Sequence, residues 1–201
     1  MSRTIRAFLA VELPEAVTAA LGELVGALSA ADLRGVRLVR PEGIHLTLKF
    51  LGDIDEDQVG PIAGAVSRIV ETQPPLAVEL GDAGAFPDGQ RPRVLWVGLT
   101  GETGPLLRLQ ADIAESLVPL GFERERRPFS PHLTVARIRD GTTLLDRRRA
   151  SDALSAAPFR RGLSVPVESV SLMRSILRPG GAEYERLASL ALSHSPCRGG
   201  E

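Results

Sequence analysis

Lysine is almost missing from this chain. Lys49 is the only one, and the other 23 basic residues are arginines, a bias that codon usage explains and that carries no functional weight by itself. Cysteine occurs once, at Cys197, which excludes an intrachain disulfide and any multi-cysteine metal site and fits a reducing cytosol. No apolar run is long enough for a membrane span. The N-terminal run stops at Pro14 with an acid following, so neither a signal peptide nor a transmembrane helix is expected, and the expected location is cytoplasmic. The formal charge of −1 offers no global attraction to nucleic acid or membrane. Locally the balance differs: from Arg124 to Arg149 eight arginines meet three acids, a cluster that suits a solvated face or a phosphate backbone. Histidine is scarce as well, with three in 201 residues.

What is present is an ordinary globular composition, 43% hydrophobic and 24% charged, in a chain long enough for a substantial core as one domain or two small lobes. The apolar run 5–13 reads as a strand, and "PEAVTAALGELVGALSAA" repeats apolar residues at helical spacing behind a first-turn proline. "VRLVR" predicts a short strand, and "HLTLKFL" a strand ending at a Gly-Asp turn. A second helix begins near Asp55, weakened by Gly60-Pro61. Strands follow over 76–86 and 94–100, a third helix over 102–118, a strand over 132–138 and a polar helix near 142–154. Residues 163–177 read as a strand, and 182–192 as a strand or a helix across the turn Arg178-Pro179-Gly180-Gly181. The order strand, helix, His-containing strand, helix, strand thus occurs twice. An internal duplication is expected, with two similar α+β lobes in one compact unit over 1–192 and a disordered tail over 193–201.

Two of the three histidines stand in the same company, "HLTL" at 45–48 and "HLTV" at 132–135. In a strand, residues i and i+2 share a face. His45 therefore joins Thr47, and His132 joins Thr134, each pair backed by apolar residues that anchor the strand. If the lobes pack about a pseudo-two-fold axis, the two imidazoles face one cleft. With unperturbed pKa values of about 6.5, one can take a proton from a nucleophile while the other donates to a leaving group. The threonine hydroxyls can donate to non-bridging oxygens. That set suits in-line attack on a phosphodiester without a metal. Zinc chemistry lacks ligands, since the remaining histidine is His194 in the tail and no HExxH occurs. G-x-S-x-G, P-loop and G-x-G-x-x-G patterns are also absent, so no cofactor is expected. Lys49 alternates onto the His45 face, where it adds positive charge to the cleft or else takes an edge or solvated position; Phe8, Phe50 and Trp96 read as core aromatics, and Arg147, Arg148 and Arg149 as solvated.

The paired motifs resemble those of the 2H phosphoesterase superfamily. "RAFLAVELPEAV", "GIHLTLKFLGD", "RPRVLWVGL", "RPFSPHLTVARI" and "SLMRSILRPGGAEYERL", in that order, are similar to the RNA 2′,3′-cyclic phosphodiesterases, also called 2′-5′ RNA ligases. The resemblance implies a bilobal α+β fold, antiparallel sheets lining a central cleft and helices outside. It implies metal-independent hydrolysis of terminal 2′,3′-cyclic phosphates to 2′-phosphates, and admits a reversible 2′-5′ ligation. By the same resemblance His45 is the acid, His132 the base, Thr47 and Thr134 bind phosphate, and Arg137 joins them. Arg137 is five residues from His132, so strict alternation sends it to the wrong face unless a bulge re-aims it. Phe129 is the candidate for stacking on a base, and Leu38 stands where relatives commonly carry a tryptophan. The expected partner is an RNA end or a small cyclic nucleotide, bound by a monomer. A non-catalytic RNA-end binder is the alternative, as is a phosphodiesterase for a small cyclic nucleotide derivative.

Overall fold

The structure is a computed structural model that describes residues 3–178 and 181–193. Thirteen elements follow in chain order: β1 (Thr4–Glu12), α1 (Glu15–Ala30), β2 (Val36–Leu38), β3 (His45–Asp55), α2 (Val59–Val70), β4 (Leu76–Phe86), β5 (Val94–Gly101), α3 (Thr103–Ser116), β6 (His132–Ile138), α4 (Leu144–Ala156), β7 (Ser164–Val167), β8 (Ser169–Arg178) and β9 (Gly181–Ala191). The segment open between helix and strand is thus a strand, β9, paired with β8 along its length. Pro61 does not harm α2, because a 3-10 turn over Glu56–Gln58 leads into it and the proline falls in the first helical turn, where its missing N–H is no loss. Asp55 and Gln58 close a reciprocal capping box at that turn.

The strands form one antiparallel sheet, ordered β7-β4-β5-β6-β3-β1-β8-β9, with β2 beside β6. It curls into a half-barrel. Its two halves, β7-β4-β5-β6 and β3-β1-β8-β9, join where β6 meets β3 at the pair Leu133–Leu46. The duplication is therefore real in arrangement but not contiguous: the half holding His45 is completed by the C-terminal hairpin β8–β9. The helices cover the convex face. Leu21, Leu24 and Leu28 of α1, Ile62 and Val66 of α2, Leu106, Leu109 and Ile113 of α3, and Leu154 of α4 join Leu9, Leu46, Leu48, Leu133 and Val135 from the strands in one core. The expected tail lies largely outside the described residues, as do Pro179 and Gly180 of the expected turn.

One charge expected in solvent is in the core. Arg147 is 8% exposed and donates three hydrogen bonds, to the carbonyls of Thr142, Pro92 and Arg139, which replace the water it gives up. Its neighbours Arg148 and Arg149 are exposed, as expected.

Candidate active site

Both histidine strands carry the same irregularity at the same place. In β3, Ala10 pairs with Thr47 and Leu9 with Lys49, so Leu48 is an extra, bulged residue. In β6, Trp96 pairs with Thr134 and Leu95 with Ala136, so Val135 is the extra residue. Each bulge lies three residues beyond its histidine and inverts the alternation. Leu48 and Lys49 are both buried, as are Val135 and Ala136, and the next residue returns to the cleft face: Phe50 in one strand, Arg137 in the other. This is how Arg137 comes to share a face with His132 and Thr134.

Each bulge also frees a backbone carbonyl, and each finds a donor. The side-chain amide of Gln110, on α3, donates to the Leu48 carbonyl at 3.1 Å. The Val39 N–H donates to the Val135 carbonyl at 2.9 Å. The bulges are thus held by the fold around them.

The same bulge alters the setting of Lys49. It pairs with the core residue Leu9 and, although it lines the cleft with His45, is 3% exposed, its Nζ donating to the Glu123 carbonyl at 2.9 Å with the Glu125 carboxylate 3.9 Å away. It ties the segment before β6 to β3. Phe50 departs from expectation too: it is 63% exposed at the cleft rather than in the core.

His45, Thr47, His132, Thr134 and Arg137 line one cleft of about 780 Å³ on the concave face. The seam pair Leu46–Leu133 fixes their order. Extending its antiparallel register by one residue each way sets His45 across from Thr134 and Thr47 across from His132. His45 Nδ1 donates to the Gly43 carbonyl at 2.8 Å, and His132 Nδ1 to the Ser130 carbonyl at 2.7 Å. A carbonyl only accepts, so both rings carry hydrogen on Nδ1 and leave Nε2 for chemistry. Among the described residues, neither Nε2, neither threonine hydroxyl and not the Arg137 guanidinium has a protein partner. Arg6 and Arg127 also line the cleft, against the single acid Glu125, so it favours an anion.

The histidines sit in unlike aromatic settings. The Phe8 ring stacks on His45 at 4.7 Å, with Tyr184 edge-on at 5.0 Å. His132 meets Phe86 edge-on at 5.0 Å and Trp96 at 6.4 Å. The indole of Trp96 lies over Gly84, where an added Cβ would come within 2.4 Å of the ring. Burial holds the His45 pKa below its ordinary value; the hydrogen bond to Gly43 opposes this, Arg137 pushes the same way as burial, and Glu12, paired with His45 across β1 and β3, opposes it. Phe8 and Trp96 read from sequence as core residues and here flank the histidines, whereas Phe86 and Tyr184, from strands distant in sequence, give no local signal. Phe129 lines the cleft with part of its ring against the core, and Leu38 pairs with buried Ala136 and packs inward. Among the described residues no three His, Cys, Asp or Glu side chains converge as a metal site, and no helix is long and apolar enough to cross a membrane.

The arrangement can hold a tetrahedral anion between two imidazoles that exchange protons on either side of it. The model of the family described as LigT-like phosphoesterase matches twice, over residues 11–96 and again over 97–184, one copy for each histidine motif. An Archaeoglobus fulgidus protein named RNA 2′,3′-cyclic phosphodiesterase is 33% identical over 91% of this chain and 98% of its own. One of the same name from Thermus thermophilus is 34% identical over 94% and 90%. Among solved structures, a Thermus thermophilus protein superposes with a TM-score of 0.76 at 31% identity, covering 93% of this chain and 97% of that one. E. coli LigT complexed with 3′-AMP superposes at 0.71 with 25% identity, covering 94% and 99%.

Proposed function

The chain belongs to the LigT-like phosphoesterase family and is a phosphoric diester hydrolase, and from that premise we propose that it opens 2′,3′-cyclic phosphates at RNA ends to 2′-phosphates. The observation that carries this reading is the set of five unpartnered groups around one seam: two Nε2 atoms, two threonine hydroxyls and the Arg137 guanidinium.

The steps follow from those atoms. Thr47, Thr134 and Arg137 donate to the non-bridging oxygens of the cyclic phosphate, where negative charge grows as the phosphorus becomes five-coordinate. Neutral His132 takes a proton from water on its Nε2 as the water oxygen bonds to phosphorus. Protonated His45 gives its Nε2 proton to the 3′ oxygen as the P–O3′ bond breaks, leaving the phosphate on the 2′ oxygen. The two rings end in exchanged protonation states and reset through solvent. Each Nδ1–H bond to a backbone carbonyl keeps its ring oriented throughout. The order of acid and base rests on the family resemblance. The chemistry needs no metal ion, because the cationic cleft and the hydroxyls supply the charge stabilisation.

One chain supplies both histidines, which supports a monomer as the active form and residues 1–192 as one functional unit. The lone cysteine supports a cytoplasmic setting. The test is product analysis on an RNA oligonucleotide ending in a 2′,3′-cyclic phosphate, with EDTA present. A 2′-phosphate end is expected. An unreacted end, or a 3′-phosphate, overturns the assignment.

A further inference from the structure

A second groove of about 730 Å³ opens beside the catalytic cleft and shares Val39, Gly43, Arg137, Leu177, Ala182 and Tyr184 with it. Its cationic edge has an unusual origin. Arg37 of β2 lies directly opposite Arg137 of β6 in the antiparallel register, so the two guanidinium-bearing side chains leave the same face of the sheet side by side. Like charges opposite one another destabilise a sheet. Neither arginine has a carboxylate partner among the described residues to offset this.

Arg40 lines the same groove, also unpaired, whereas the Glu183 carboxylate there is taken by Arg178 at 3.2 Å. Three arginines therefore face Glu42 as the remaining acid. Gly181 keeps the space open, since a Cβ at that position would come within 3.2 Å of Arg37 Nη2, and its φ of +142° suits glycine. Like charges held side by side without a counter-ion are relieved when anions bind beside them.

We propose that this groove holds the phosphodiester preceding the reacting RNA end, with Arg37 and Arg40 contacting it while Arg137, at the shared boundary, serves the cyclic phosphate. The inference rests on the hydrolysis assigned above and narrows its substrate to a chain of at least two nucleotides. A lone nucleoside 2′,3′-cyclic phosphate fills the cleft and leaves the groove empty.

The test compares a dinucleotide ending in a 2′,3′-cyclic phosphate with a mononucleoside 2′,3′-cyclic phosphate, for wild type, Arg37→Met and Arg40→Met. Arg37 is exposed, so the substitution leaves the core intact. Wild type should favour the dinucleotide in kcat/KM. Arg37→Met should lower kcat/KM for the dinucleotide about tenfold or more, the usual worth of a charge-assisted hydrogen bond, and leave the mononucleotide within about twofold. The plot of log kcat/KM against log salt for the dinucleotide should lose about 0.7 of its slope, one phosphate contact on a single strand. Arg40→Met should act in the same direction. Equal losses on both substrates, or none on either, overturn the groove's role while leaving the hydrolysis standing. A wild type that hydrolyses neither substrate overturns the hydrolysis itself, and the groove's role with it.

Discussion

Leu46 faces Leu133 across the seam where the two halves of the sheet meet, and each leucine sits between the histidine and the threonine of its own strand. The candidate catalytic groups are therefore neighbours of a fully buried apolar pair rather than ornaments on loops. Their mutual placement is set by the register of two rigid strands.

Replacing either histidine with alanine should lower kcat on the cyclic-phosphate oligonucleotide by about 10²–10⁴-fold, the usual contribution of positioned acid–base catalysis. In the proposed mechanism the two rings serve one proton exchange, so the double variant should fall little further than the worse single one. Steady-state kinetics on the three variants checks this. Losses that simply multiply would mean that the rings act independently.

His45 should titrate below the ordinary value of 6.5 in the free protein, chiefly through burial. Arg137→Met removes a like charge and should raise that pKa, as should a bound phosphate, which favours the imidazolium. Ring-proton NMR titrations of His45 measure each shift. The stability consequence has a definite sign. The folded state holds the His45 proton less tightly than the unfolded chain, so stability is full above the unfolded value and declines as pH falls through the lower folded one. In His45→Gln that part of the acid sensitivity should vanish from denaturation curves measured across this range.

Gln110→Leu should leave the Leu48 carbonyl at the β3 bulge without its donor and cost about 1–3 kcal/mol. Denaturant midpoints report the loss. The variant should lose activity as well, because the bulge orients the strand beyond Thr47. Full activity in a destabilised variant would show that the bulge persists without its donor.

Lys49→Met keeps much of the side-chain volume and removes the hydrogen bond to the Glu123 carbonyl. The segment carrying Arg124, Arg126 and Arg127 should then open more often. Limited trypsin digestion, followed by mass spectrometry, should show faster cleavage after Arg124 and Arg126 than in wild type, the bond after Arg127 being protected by Pro128.

The His-x-Thr strands were legible because they need only local alternation and two matching copies. The element order was legible for the same reason. Arg137 was not, because its facing depends on a bulge defined by how β6 registers against β5, a relation between strands that one strand cannot announce. Lys49 and Phe50 escaped for the matching cause in β3. Arg147 looked solvated within "DRRRA" because nothing in that run reveals that three carbonyls from a turn and a loop converge on it. The rings around each histidine come from strands far apart in sequence. Tyr184 reaches His45 only because β9 returns to the N-terminal half.

That return has a bearing on how the protein is made. Strands β4 to β7, with His132 among them, occupy the unbroken stretch Leu76–Val167 and can close upon themselves as soon as they leave the ribosome. The half that starts first, with β1 and β3, waits for β8 and β9 at the far end of the message. Domains usually mature in the order of their synthesis. Here the later-born half is finished first, and until β8 and β9 emerge the nascent β1 keeps an unpaired edge.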